Sequence, residues 1–98
     1  MSVPRDKAEI IGGDGSEVLD GYARVISQRG EDFTPFFLRG AIASLSIASK
    51  FKIRKAVVKK NSPSCGSGWI TRKGKIVKGD GVTAALFKRA GIKIVQTL

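Results

Sequence analysis

Near the carboxyl end, two apolar β-forming runs stand on either side of a helical pattern, and that order leaves few ways to fold. "KAVVKK" (55–60) reads as a short strand with a buried apolar centre, and "IKIVQ" (92–96) reads as another. Between them, "GDGVTAALFKRAG" carries helical spacing. Asp80 or Gly81 fits the start of that helix, Lys88 and Arg89 suit the negative end of its dipole, and Gly91 fits the position just beyond it. Strand, crossover with a helix, and strand predict a right-handed connection and a parallel pair, residues 56–58 beside 92–95. In such sheets ligands bind beyond the carboxyl ends of the strands. The chain leaves one such end directly into "NSPSCGSG".

The rest of the chain fits around that unit. "GWITRKGKIVKG" predicts a hairpin turning at Lys73 and Gly74. "DFTPFFLRGAIASLSIASKF" predicts a long helix, with Thr34 as N-cap and Pro35 at the first position, where a missing N–H costs nothing. Phe33 and Leu38 are spaced as a hydrophobic staple. Phe37, Ala41, Leu45 and Ala48 recur on one face and are expected in the core, while Gly40 and the alanines would let a sheet come close. In the first third, "AEIIGGDG" and "GYARVIS" read as a hairpin, with Tyr22, Val25 and Ile26 as β-formers and "GDGSEVLDG" as a loose connection. The expectation is one α/β domain over residues 1–98. It has a mixed sheet with a parallel pair, one long and one short helix, and peripheral β-hairpins. Ninety-eight residues support one modest core.

Composition narrows the chemistry. There is no histidine, which removes the commonest general base and the commonest zinc ligand together. The single cysteine excludes a disulfide framework and fits a reducing cytoplasm. "MSVPRDKAEI" has no apolar region of the secretory kind, and no apolar run approaches the roughly 20 residues that span a bilayer. The net charge is +10 and unevenly placed. Seven of the eight acidic residues fall between Asp6 and Asp32, and after Phe33 only Asp80 remains against fourteen Lys and Arg. That part of the surface attracts anions. The field suits a small anionic, phosphorylated ligand, or a nucleic acid held through its phosphates, or simply keeps the protein in solution. No zinc-finger spacing or RNP-like aromatic motif singles out the nucleic acid.

The candidate site is the loop that holds the thiol. Pro63 fixes one backbone angle while Gly66 and Gly68 permit sharp turns, so successive N–H groups can form an anion-binding concavity. Ser62, Ser64 and Ser67 add hydroxyl donors, and Lys59 and Lys60 would favour Cys65 as a thiolate. A lone cysteine is equally at home as a small buried hydrophobe, and Ser-Pro-Ser is ordinary turn chemistry. "KGDGV" supplies a second set: Gly79, Asp80, Gly81 and Thr83 stand at a helix start whose first N–H groups can hold an anion. Asp80 is a cap or a site carboxylate. Asp14, in the similar "GGDGS", has the same two readings. Neither "GDG" matches a Walker or dinucleotide fingerprint. Trp69 fits a stacking platform or a core position.

Taken together, "PRDKAEI", "GGDGSEVLDGYARVI", "GEDFTPFFLRGA", "NSPSCGSGWI" and "GDGVTAALFKRAGIKI" resemble successive blocks of one family. It was formerly known only as a domain of unknown function and includes the bacterial thiouracil desulfurases. The resemblance runs in order from Val3 to about Val95. It implies an α/β fold and, for the desulfurases, a [4Fe-4S] cluster held by three cysteines, with one iron open to take sulfur from a thiolated base. Cys65 matches the third of those cysteines, and Ser62 a serine near the substrate. Longer members carry an N-terminal segment with a first strand, a cysteine-containing loop and a Cys-Pro-Glu motif, which this sequence does not contain.

One chain with one cysteine cannot hold a cluster in the family's manner. The remaining thiolates would come from further copies or from a subunit that supplies the missing cysteines. Otherwise the cluster has been lost and a pocket kept, or the sequence is a fragment. The expected function is therefore the small-ligand or thio-nucleobase binding half of a desulfurase-like site. Cys65 and Ser62 would serve the chemistry, and Cys65 is a possible single ligand to a cluster shared with another chain. Ser64, Gly66, Ser67, Gly79, Asp80, Gly81 and Thr83 would bind the ligand. The alternative is a basic nucleic-acid-binding module without catalysis.

Overall fold

The computed structural model describes residues 8–58, 69–72 and 75–96. Among these, six strands and three helices follow in the order β1 (Ala8–Ile11), α1 (Gly15–Leu19), β2 (Arg24–Ser27), α2 (Thr34–Lys50), β3 (Lys55–Val58), β4 (Trp69–Arg72), β5 (Lys75–Lys78), α3 (Val82–Arg89) and β6 (Lys93–Gln96).

The parallel pair is present. β3 and β6 run side by side with Ala56 opposite Ile94 and Val57 opposite Val95. The Lys93 N–H, donated to the Arg54 carbonyl at 2.8 Å, extends that ladder by one step. Both antiparallel hairpins are present as well. β1 pairs with β2, placing Ile10 opposite Val25. β4 pairs with β5, and Arg72 opposite Lys75 leaves residues 73 and 74 as the connection. The turn itself lies outside the described residues. Among the described residues the strands form three two-stranded sheets, joined by side-chain packing rather than by one continuous ladder.

The long helix starts one residue from its expected place. Phe33 occupies the cap position without a side-chain cap bond, and Thr34 is already helical. The capping acceptor is Asp32, whose Oδ1 takes the Thr34 N–H at 2.9 Å. Thr34 is drawn inward instead. Its buried hydroxyl accepts the Val25 N–H at 2.8 Å, while the Phe33 N–H donates to the Val25 carbonyl at 2.8 Å. Both polar groups of a core strand residue are thereby satisfied. Ala41 and Ala48 are buried and Phe37 and Leu45 pack beside them, as the spacing predicts. The surface they meet is chiefly another helix, α3. Gly40 faces open space and eases no approach.

Two clusters make the core. The larger joins Ile10, Val18, Val25, Ile70 and Val82, each no more than 2% exposed, with Ala23, Phe33 and Ala41. Each such aliphatic side chain contributes about 1.5–3 kcal/mol by leaving water. The smaller joins Ala48, Phe87 and Ile92, with Leu45, Ala56 and Ile94 packed against them. This second cluster seats α2 and α3 beside the parallel pair.

Two features of the first third differ from expectation. The connection between β1 and β2 contains α1, a helix of five residues. Tyr22 stands before the strand rather than in it and is 80% exposed.

Candidate functional site

The two Gly-Asp-Gly turns, far apart in sequence, clasp one another. The Gly15 N–H donates to the Asp80 carbonyl at 2.6 Å, and the Asp80 N–H donates to Asp14 Oδ2 at 3.1 Å. The Asp14 carboxylate serves two masters. Its Oδ1 accepts the Ser16 N–H at 3.0 Å and caps α1, while Glu17 Oε1 returns the favour by accepting the Asp14 N–H at 2.8 Å. This is a capping box, formed by Asp and Glu three residues apart. Its outer oxygen is left for the second turn. The approach is so close that a Cβ on Gly15 would run into the Gly81 carbonyl, and one on Gly79 would come within 2.8 Å of the Asp14 Cβ. Only glycine lets these backbones meet.

The clasp also sets local charge. Burial pushes the Asp14 carboxyl up, but hydrogen bonds from the N–H groups of Asp80, Glu17 and Ser16 outweigh it and hold the group below its ordinary value. Arg89, in the last turn of α3, closes the other side. Its guanidinium takes both Asp20 oxygens, at 2.9 and 3.0 Å, and reaches the Ser16 hydroxyl at 2.7 Å. That bond lowers the Asp20 pKa and raises that of Arg89. Lys88 turns back to Asp80, with Nζ 2.9 Å from Oδ1. The two basic residues expected to favour the helix dipole thus also bind specific carboxylates.

The consequence for α3 is a fixed amino end. Gly81 is its cap residue and makes no side-chain cap bond, and Val82, Thr83, Ala84 and Ala85 are buried. Asp80, cap or site carboxylate in the sequence, takes neither the cap position nor an isolated one: it holds Lys88. α3 passes through Gly91 into β6, which is parallel to β3. In a crossover of this kind the helix runs back along the sheet, so its amino end lies toward the carboxyl ends of both strands.

Of the residues singled out from sequence, Gly79, Asp80, Gly81 and Thr83 are therefore together at this end. Ser62, Ser64, Cys65, Gly66 and Ser67 lie outside the described residues, as do Lys59 and Lys60. Trp69 opens β4, opposite Lys78. Asp14 is the participant that sequence reasoning placed least well. Its signal was the Asp-x-x-Glu spacing to Glu17.

The donors of this chain alone do not fit an iron–sulfur cluster. Among the described residues, no group of three His, Cys, Asp or Glu could hold a metal ion. The full sequence has one cysteine and no histidine, against the several thiolates such a cluster takes. No helix among the described residues is long and apolar enough to cross a membrane.

The family model of 2-thiouracil desulfurase matches residues 1–97. The uncharacterised protein YbbK of Bacillus subtilis (strain 168) is 46% identical over 99 residues, covering 98% of this chain and 66% of YbbK. A solved structure of a [4Fe-4S]-dependent thiouracil desulfidase, TudS, superposes with a TM-score of 0.83 at 36% identity. It covers 98% of this chain and 59% of the TudS chain. The chain thus spans about three-fifths to two-thirds of the length of these relatives. A nucleic-acid-binding module finds no support in these matches. With the family's blocks in order and the fold in agreement, the chain belongs to the 2-thiouracil desulfurase family.

Proposed function

We propose that this chain forms the ligand-binding part of a thiouracil-desulfurase-like site, completed by thiolates from outside these 98 residues. The observation that carries the reading is the clasp of the two Gly-Asp-Gly turns. It holds the α3 amino end toward the carboxyl end of β3, from which the chain enters the stretch bearing Cys65. The first-turn N–H groups of α3 favour negative charge, and the net charge of +10 adds a general attraction for anions. A thio-nucleobase, whose sulfur and oxygen carry partial negative charge, suits that end. Ser62 and Ser64 would donate hydrogen bonds to it. Gly66, Ser67, Gly79, Asp80, Gly81 and Thr83 would shape its seat. Cys65 would supply one thiolate to a [4Fe-4S] cluster shared with another chain, or act as a nucleophile.

Because this chain's donors do not fit the cluster, its own contribution is to bind and orient. The test is anaerobic titration with 2-thiouracil, with uracil for comparison, alongside iron analysis. The chain should prefer the thio-base, and Cys65→Ser should lose that preference together with any bound iron. Equal binding of the two bases, or a Cys65→Ser variant indistinguishable from the parent, sinks the reading.

A further inference from the structure

Helix α1 has little of its own to hold it together. It is five residues long, Gly15–Leu19, and opens on glycine and serine. Helices this short are unstable in water without tertiary support, and Gly and Ser are poorer helix formers than Ala or Leu. Its amino end has the Asp14–Glu17 capping box. Its carboxyl end is worse placed. Asp20 stands there as the cap, and the last turn has no basic residue. A carboxylate at that end opposes the helix dipole.

The missing cation comes from α3. The Arg89 fork donates to both Asp20 oxygens, at 2.9 and 3.0 Å, in bidentate fashion. The same guanidinium donates to the Ser16 hydroxyl at 2.7 Å and to the Ser16 carbonyl at 3.1 Å. One side chain thus spans α1 from its second residue to its cap. Arg89 is the last residue of α3, about 12 Å along the helix from Gly81 at 1.5 Å per residue. α1 therefore grips α3 at both ends. Asp14 and Gly15 meet Asp80 at one, and Ser16 and Asp20 meet Arg89 at the other.

We propose that Arg89 is a positioning residue for the ligand end of α3, acting through α1 and the Asp14 carboxylate. The contacts are continuous. Arg89 holds the carboxyl end of α1, and α1 carries the capping box that fixes Asp14. Asp14 Oδ2 in turn takes the Asp80 N–H, one residue before the α3 cap. As a surface ion pair alone Arg89 would matter little, since it and Asp20 are 43% and 48% exposed. Its weight comes from what α1 lacks. The inference rests on the reading that the α3 amino end is the ligand seat. It adds a residue that controls that seat from the far end of the helix.

Amide hydrogen exchange on the whole 98-residue chain tests this without any ligand. Arg89→Ala should speed exchange of the Gly15 and Asp80 N–H groups, relative to the buried Val25 N–H, about threefold or more. Arg89→Lys keeps the charge without the fork and should give part of that change, which keeps the test decisive should Arg89→Ala not fold. Arg24→Ala, which breaks a comparably exposed pair with Asp32, should leave both amides as in the parent. A double-mutant cycle on the preference for 2-thiouracil over uracil then gives the route. Arg89→Ala alone should lower the preference about threefold or more. It should add nothing once Asp14→Asn has removed the acceptor of the Asp80 N–H. Exchange indifferent to Arg89, or changed as much by Arg24→Ala, overturns the proposal. So does an Arg89 effect on preference that persists in full beside Asp14→Asn. A parent chain without any preference fails the desulfurase reading alone, and amide exchange then decides the role of Arg89.

Discussion

The clasp and the outer face of α2 are built on opposite logics. At the clasp, two turns 66 residues apart share hydrogen bonds, and a single carboxylate caps a helix with one oxygen and holds a distant N–H with the other. Among the described residues no buried side-chain nitrogen or oxygen lacks a partner. On α2, Phe36, Ile42, Ile47 and Phe51 are exposed among the described residues. The acidic residues follow the same division: the clasp draws on Asp14, Glu17, Asp20 and Asp80, and no Asp or Glu occurs within α2. One region is closed by its own hydrogen bonds, and the other leaves apolar side chains in water.

If the clasp is closed in this sense, it should tolerate almost nothing. Gly15→Ala places a methyl group against the Gly81 carbonyl, and backbone on both sides leaves no flexible side chain to give way. The expected loss is about 3 kcal/mol or more, beyond the usual range for overpacking because backbone must move. Urea unfolding measures it, and a loss under about 1 kcal/mol would mean that the turns part easily. Asp14→Ala should follow. It removes an N-cap, worth about 1 kcal/mol, and a charge-assisted bond to the Asp80 N–H, worth about 1.5–3 kcal/mol. Because the two share one carboxylate they need not add fully, and about 2–3 kcal/mol is expected. Asp14→Asn should recover the cap portion, since Asn caps as well as Asp.

These effects bear on what the sequence discloses. The long helix, the parallel pair and both hairpins were legible because their signals are local: period, cap and turn residues within a few positions. α1 was not legible as a helix, because five residues hold too little of a 3.6-residue period to register. Its Asp14–Glu17 capping box was the only trace. Thr34 misled by one position because its hydroxyl serves the distant Val25 N–H rather than its own helix. The clasp is invisible to any local pattern. "GGDGS" and "GDGVT" look like two independent turns, and only the folded chain pairs them. The outward apolar residues of α2 can be seen in the sequence, yet nothing there distinguishes an exposed side chain from one packed inside. The cysteine-bearing stretch lies outside the described residues, so its legibility rests on the family blocks alone.

Acid separates the regions by a smaller margin. The Thr34 hydroxyl and N–H, then the Arg24 guanidinium, hold the Asp32 carboxyl down to about 2, from 3.8. A carboxylate depressed in the folded state stabilises it above its unfolded pKa, and that contribution fades as pH falls from 3.8 through about 2. Asp14 and Asp20 are lowered too and act in the same direction. Tm should therefore decline as pH falls below 4 or so. Asp32→Asn, which can still accept the Thr34 N–H, should flatten part of the decline. A variant with an acid limb as steep as the parent's would show that Asp32 is not held by Thr34 and Arg24 in solution.

The smallest expected effect is also the most pointed. Ile42→Gln and Ile47→Gln exchange outward apolar side chains for polar residues of good helix propensity, at positions with more than half of their surface in water. If α2 is uncovered in the isolated chain, each should change stability by no more than about 0.5 kcal/mol and improve solubility. A loss of about 2 kcal/mol or more per site, the scale of a buried aliphatic side chain, would show the face already covered in solution. The chain would then self-associate through α2. Near-neutral unfolding data would show these side chains open to water in the isolated chain, because only a buried aliphatic group loses transfer free energy when it becomes polar.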